Sequence, residues 1–177
     1  YLALLGDIVG GNNILDKNGE KSIYKRFLLA NAGFYEQTYL IAGNHEFYHS
    51  TRTKTMEKLG QLAREVNAEL GREAVQCLHK SSVDLPCGLR LLGTCLWSHV
   101  RPASVATVET SLSDYTRIMA EGGEKGETIS AADTNAWHHE ELMWLQEEVA
   151  RAEREGRQCV VLTHHAPTRH DVSTFPD

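Results

Sequence analysis

The sequence lacks long apolar runs and clusters of basic residues, and both absences narrow the possible functions. No apolar stretch in the 177 residues approaches the roughly 20 residues that cross a bilayer, so we expect no membrane-spanning segment and no membrane partner. Lysines and arginines are scattered, and the formal net charge is -6. A basic surface for a long nucleic acid is therefore not expected, although an acidic protein can still handle phosphate locally through metal ions.

The cysteines show none of the paired spacings that mark zinc ribbons or redox motifs. Cys77, Cys87, Cys95 and Cys159 include no CxxC pair, and nothing in the sequence resembles a secretory signal or an Asn-x-Ser/Thr glycosylation acceptor. We interpret them as reduced thiols in a cytoplasmic protein, with two disulfides in a secreted protein as the alternative.

Short apolar segments alternate with helical patterns along the chain. Strands are predicted over four apolar segments, Leu2–Leu5, Thr38–Ala42, Ala74–Leu78 and Gln158–Thr163. Helices are predicted over three segments with helical spacing of apolar residues, 21–31, 51–70 and 131–154. Repeated strand–helix units predict an α/β fold with at least part of the sheet parallel, and no linker divides residues 1–177 into two domains.

Local patterns also predict a hairpin, the buried face of the first helix and one irregular segment. The Pro-x-Gly sequence at 86–88 predicts the hairpin turn, with the second strand reaching Trp97. The residues of the first helix that are predicted to face the core are Ile23, Phe27 and Ala30. Residues 101–127 carry no regular pattern, so we expect a loop with an irregular helix around 115–119.

Polar side chains follow three of the predicted strands at the point where each strand ends. Asp7 follows the first, Asn44 and His45 the second, and His164 and His165 the last. Strand ends on one edge of an α/β sheet would bring them together, and carboxylate, amide and imidazole ligands suit Mn²⁺, Fe²⁺ or Zn²⁺. Each residue alone is more often a turn residue or a core histidine. Their coincidence at three strand ends favours a metal site.

The motifs GD at 6–7, GNHE at 43–46 and THHAP at 163–167 together resemble the calcineurin-like metallophosphoesterase family. The resemblance covers nearly the whole chain. It implies a β-sandwich flanked by helices in α/β/β/α layers, and a hydrolase that attacks a phosphate mono- or diester with a hydroxide activated by two divalent ions (Mn, Fe or Zn). The substrate would be a phosphate ester, and the sequence identifies neither substrate-binding residues nor protein partners.

The resemblance also implies a role for each residue of these motifs. Asp7 would bridge the two ions, and Asn44 and His164 would bind the second ion. His45 would not bind metal, because this family position faces the substrate and assists the leaving group. Glu46 would orient the loop or His45, with a plain helix-start carboxylate as an equal alternative. Gly43 is expected to let the backbone turn sharply beside the ions.

Two family motifs are missing from the chain. The Asp-x-His before GD would lie upstream of the first residue, and the Gly-His-x-His would lie downstream of the last. We therefore expect a domain that is incomplete at both ends, and a fragment that binds at most one ion and has negligible activity. Of the two histidines at 164–165, the family pattern favours the first, His164, as the ligand.

Two other functions are compatible with parts of the sequence. The first is a scaffold with the same fold that binds proteins without catalysis, although such relatives tend to lose the histidine that His45 represents here. The second is a mononuclear metal site or a nucleotide-binding domain. No GxGxxG or GxxxxGK[ST] motif supports nucleotide binding.

Overall fold

The computed structural model describes residues 1–17, 19–124 and 126–167. In that part of the chain, β-strands and α-helices form a mixed α/β structure with two small sheets. The strands are β1 (Leu2–Leu5), β2 (Thr38–Ile41), β3 (Val75–Cys77), β4 (Ser81–Asp84), β5 (Arg90–Gly93) and β6 (Cys159–Leu162). The α-helices are α1 (Ile23–Asn31), α2 (Arg52–Leu70), α3 (Val105–Ser111), α4 (Asp114–Arg117) and α5 (Ala131–Arg154).

The first sheet is parallel and has the order β1-β2-β3. Helices α1 and α2 connect its strands, as expected for repeated strand–helix units. The second sheet has the order β4-β5-β6 and is mixed, because β4 and β5 form the predicted antiparallel hairpin while β5 and β6 run parallel. The parallel pairing predicted from the sequence is therefore confirmed.

Local sequence signals define the ends of the two long helices. The side chain of Thr51 accepts a hydrogen bond from the backbone of Lys54 and begins α2, and Gly71 ends it with a left-handed φ of 68°. Ser130 and Asp133 form a capping box at the start of α5. Each signal satisfies backbone groups that a helix end would otherwise leave without a partner.

Two apolar clusters hold the elements together. The larger one packs α1 and α2 against the first sheet through residues such as Leu28, Leu40 and Leu62. The smaller one joins the two sheets, and its buried members are Tyr39, Ile41, Leu78, Leu85 and Leu91. A Cβ at Gly93 would lie 2.4 Å from the Cβ of Leu78, so this glycine permits close contact between β5 and the chain after β3. The four-layer order of the resemblance stays a prediction.

The predicted buried face of α1 is wrong. Ile23 and Phe27 are 55% and 37% exposed, whereas Tyr24 and Leu28 are buried. Lys25 is buried beside them because its ammonium group pairs with three carboxylates of nearby segments, those of Asp16, Glu65 and Glu69. Tyr24 and Leu28 have the same helical spacing as Ile23 and Phe27, so spacing alone does not decide between the two faces. The ion pairs of Lys25 with Glu65 and Glu69 join the buried side to α2.

The hairpin and the segment after it also differ from the prediction. Strand β5 ends at Gly93 and does not reach Trp97, because the backbone N–H groups of Leu96 and Trp97 donate to the buried carboxylate of Glu141 on α5. Helix α3 lies within the segment that we expected to be a loop.

The described residues also bear on the cysteine and membrane predictions. All four cysteines lie in that part of the chain and are free thiols there. Among the helices described, none is both long and apolar enough to cross a bilayer.

Candidate metal centre

Three chain segments that follow strands meet at one point between the two sheets. His164, after β6, places its Nε2 atom 3.0 Å from Oδ1 of Asn44 and 3.6 Å from Oδ1 of Asp7. Asn44 follows β2 and Asp7 follows β1, which are neighbours in the first sheet. The structure thus brings together the three residues that the sequence suggested as metal ligands.

The hydrogen bonds of His164 determine which ring nitrogen faces the other two residues. Its Nδ1 atom lies 2.7 Å from the carbonyl oxygen of Leu5, which can only accept, so Nδ1 donates a hydrogen bond there. Nε2 is the ring nitrogen that faces the oxygens of Asn44 and Asp7. An imidazole nitrogen, an amide oxygen and a carboxylate oxygen thus converge at this point, and metal-binding histidines commonly hydrogen-bond a backbone carbonyl through their other ring nitrogen. The chemistry of the three groups fits a divalent metal ion.

One of the three side chains at this point, Asn44, is an amide and not a His, Cys, Asp or Glu. Within residues 1–17, 19–124 and 126–167, no group of three His, Cys, Asp or Glu side chains is arranged to hold a metal ion. Asp7 and His164 are the two side chains of those types in the triad, and Asn44 supplies the third donor atom.

Asp114 holds the amide of Asn44 in this orientation. Its Oδ1 atom accepts hydrogen bonds from Nδ2 of Asn44 at 2.8 Å and from the hydroxyl of Tyr48 at 3.0 Å. Burial, together with the bond to Asp114, raises the pKa of Tyr48 to about 12, so its hydroxyl stays a donor at neutral pH. Because the amide nitrogen faces Asp114, the amide oxygen faces His164.

Sequence reasoning missed Asp114. The residue begins the short helix α4 in the segment that carries no regular pattern, and it lies 70 positions from Asn44. No local spacing connects two residues so far apart. The only sequence signal is the presence of a carboxylate in an otherwise unassigned segment.

Glu46 joins the two loops that carry Asp7 and Asn44. The side chain is fully buried, and its Oε2 atom accepts from the backbone N–H groups of Asp7 at 2.8 Å and Gly43 at 2.7 Å. Its Oε1 atom accepts from Ile8 at 2.8 Å and Val9 at 3.1 Å. Four bonds to one carboxylate place Glu46 among backbone donors of the loops, rather than against the ring of His45.

Two glycines allow the loops to approach each other. A Cβ at Gly43 would lie 2.3 Å from Oδ1 of Asp7 and 2.7 Å from Cε1 of His164, so no side chain fits there. A Cβ at Gly6 would lie 2.3 Å from the backbone nitrogen of Gly43, and the φ of Gly6 is 88°. Gly43 itself has no positive φ. The close approach of Asp7 and His164, and not a left-handed backbone, is therefore the reason for glycine at position 43.

The two remaining histidines of the motifs occupy different surroundings. The side chain of His45 is 52% exposed, with Nε2 4.0 Å from Oδ2 of Asp7, so the ring lies at the open side of the triad. His165 packs on Trp97 with ring centroids 5.0 Å apart. Burial, and secondly the neighbouring His164, lower the pKa of His165 to about 4, so the ring is neutral at neutral pH. His164, not His165, lies beside Asp7 and Asn44.

The chain is similar to a family of known proteins and to a viral protein. A family model described as calcineurin-like phosphoesterase matches residues 1–177. The uncharacterized protein L509 of Acanthamoeba polyphaga mimivirus is 26% identical over 172 residues, which are 97% of this chain and 56% of that protein. The chain therefore spans little more than half the length of this relative. No solved structure matches the chain.

Proposed function

The chain belongs to the calcineurin-like phosphoesterase family, and from this premise we propose that its protein hydrolyses a phosphate mono- or diester with two divalent metal ions. The observation that carries the proposal is the convergence of Asp7, Asn44 and His164. Nε2 of His164 lies 3.0 Å from Oδ1 of Asn44 and 3.6 Å from Oδ1 of Asp7. Carboxylate, amide and imidazole donors suit a divalent ion, and the second ring nitrogen of His164 is hydrogen-bonded to a backbone carbonyl as in metal-binding histidines.

Asp7, Asn44 and His164 would hold the metal, with Asp7 shared between two ions because a carboxylate has two oxygens to offer. When bound, the ions would supply neutralisation of charge on the phosphoryl oxygens and activation of water. The choice among Mn²⁺, Fe²⁺ and Zn²⁺ is part of the proposal, since carboxylate, amide and imidazole donors suit all three.

The other residues of the motifs act on the substrate or on the ligands. His45 faces solvent beside Asp7, where its ring can donate a proton to the departing ester oxygen, a contribution of roughly 10²–10⁴-fold. Glu46 fixes the two loops through backbone bonds, and Asp114 fixes the amide of Asn44, so both are positioning residues.

The proposal is tested with the full-length protein, p-nitrophenyl phosphate as a monoester and bis(p-nitrophenyl) phosphate as a diester. We expect a chelator to remove hydrolysis of at least one ester, and Mn²⁺, Fe²⁺ or Zn²⁺ to restore it. His45→Asn should slow hydrolysis without reducing metal content, and less so for these esters than for alkyl esters, because nitrophenolate needs little protonation.

Met143→Ala serves as the control, because Met143 is 44% exposed on α5 and belongs to none of the motifs. Hydrolysis that resists chelation would contradict the proposal. Metal binding by the protein without hydrolysis of any ester would favour the non-catalytic scaffold.

A further inference from the structure

A cavity of about 280 Å³ opens beside the candidate metal centre, between the loop after β5 and the helices α3 and α4. Two residues connect it to the centre. Asp114 lines the cavity and also accepts the hydrogen bond from Asn44. His165 lines it as well, and its ring lies 4.9 Å from that of His164. A phosphoryl group at the metal centre would therefore have this cavity as its neighbour.

Two aromatic side chains that line the cavity, Trp97 and Tyr115, are held in place by their neighbours. Trp97 is only 3% exposed, and its ring packs against those of Phe47 and Trp137, with ring centroids 5.9 Å and 5.3 Å apart. Tyr115 is 7% exposed, and its hydroxyl is hydrogen-bonded to Thr134 at 3.0 Å. Because these side chains are already fixed, an apolar group that contacts their small exposed parts loses little free energy to ordering of the protein.

The outer part of the cavity combines aliphatic side chains with one cation. Val108 and Leu112 line it from α3 and the residue that follows α3, and Leu112 is 48% exposed. Arg101 also lines it and is exposed. In the described part of the chain, no carboxylate oxygen lies within 4.0 Å of the Arg101 guanidinium. Its charge is therefore available to an anionic group of a ligand.

The volume limits the ligand to a small molecule. A cavity of about 280 Å³ lies at the lower end of the range for ligand sites, roughly 300–1,000 Å³. A single aromatic ring with a short substituent is compatible with this space. We propose, on the basis of the proposed phosphoesterase function, that the cavity binds the leaving group of the substrate, and that this group is a small aromatic alcohol with an anionic substituent.

The test compares three alkyl phosphates with the full-length, metal-loaded protein: ethyl phosphate, benzyl phosphate and 4-carboxybenzyl phosphate, each also as its methyl diester. All three release an alkoxide, so differences in kcat/KM report the side group more than leaving-group reactivity. We expect benzyl to exceed ethyl by about tenfold to a hundredfold, the range for apolar groups in a preformed pocket. The carboxybenzyl ester should be better still.

Two variants assign the preference to the cavity. Leu112→Ser should lower the benzyl-to-ethyl ratio several-fold, and Arg101→Gln should lower the carboxybenzyl-to-benzyl ratio. The control Met143→Ala should change neither ratio, because Met143 lies on α5 and does not line the cavity.

The outcomes separate this inference from the proposed function. Equal kcat/KM values for ethyl and benzyl esters, or ratios that neither variant changes, would overturn the cavity assignment and leave phosphoesterase activity established. Failure to hydrolyse any ester, nitrophenyl esters included, would overturn the proposed function and the inference together.

Discussion

Substitution of Asp114 by alanine tests whether the structure of this centre depends on a residue outside the family motifs. Asp114 is 8% exposed, and its Oδ1 atom accepts from Asn44 at 2.8 Å and from Tyr48 at 3.0 Å. Without the carboxylate, the Asn44 amide is free to rotate away from His164. A hydrogen bond to a charged group contributes roughly 1.5–3 kcal/mol, and losing a group that orients a ligand typically costs about 10–100-fold in metal affinity.

We therefore expect Asp114→Ala to weaken Mn²⁺ binding by about 10–100-fold, as measured by calorimetric titration of the full-length protein. Asp114→Asn should lose less, because its amide oxygen can still accept from Asn44. Tyr48→Phe removes the second donor and keeps the bond to Asn44, so it should change the affinity least of the three.

Glu109 provides a matched control for Asp114. Its carboxylate lies on the neighbouring helix α3 and accepts from the backbone of Ala131 at 2.7 Å, away from the motif residues. Glu109→Ala should lower the melting temperature and leave Mn²⁺ affinity unchanged. Wild-type affinity in Asp114→Ala, or an equal loss in both variants, would refute the argument that Asp114 orients the ligand amide.

Three further predictions concern the ligand, the loops and pH. Asp7→Ala should abolish activity and reduce bound metal at both proposed positions, and wild-type metal content would exclude Asp7 from the centre. Glu46→Gln should lower the free energy of unfolding by about 2–6 kcal/mol, because its NH₂ group faces two backbone donors in place of an acceptor, and an unchanged denaturation midpoint would contradict this. Burial, and secondly the nearby charges of Arg52 and Lys80, lower the pKa of His79 from 6.5 to about 4. The unfolded chain therefore becomes protonated at His79 at a higher pH than the folded chain. The free energy of unfolding has its full value above pH 6.5 and falls by up to about 3 kcal/mol as the pH is lowered to 4. His79→Gln should flatten that part of the stability curve.

The residues that the sequence suggested for the centre are those whose positions depend on the strand that directly precedes each of them. Asp7, Asn44 and His164 each follow an apolar strand, and parallel pairing of β1 with β2 brings the first two to the same edge. The pairing of β5 with β6 carries His164 toward them from the second sheet. A short apolar run that stops at a polar residue is enough to predict a strand end, so this part of the site could be predicted from the sequence.

The parts that the sequence did not predict depend on contacts between distant segments. The carboxylate of Glu141 replaces a sheet partner for Leu96 and Trp97, and this contact ends β5 early. The ion pairs of Lys25 join the buried side of α1 to nearby segments. Helix α3 has too few apolar residues to show helical periodicity, although it supplies Val108 to the wall of the cavity.

The geometry of the centre also connects metal binding to the packing of the two sheets. Asp7 and Asn44 belong to loops of the first sheet, whereas His164 follows the last strand of the second. Around them the loops are held by strong donors: four backbone N–H groups bind Glu46, and Asn44 binds Asp114. These bonds hold Asp7 and Asn44 in position before any ion binds. A cation bound by Asp7, Asn44 and His164 would connect residues of both sheets, so metal binding should raise the free energy of unfolding in proportion to the metal affinity.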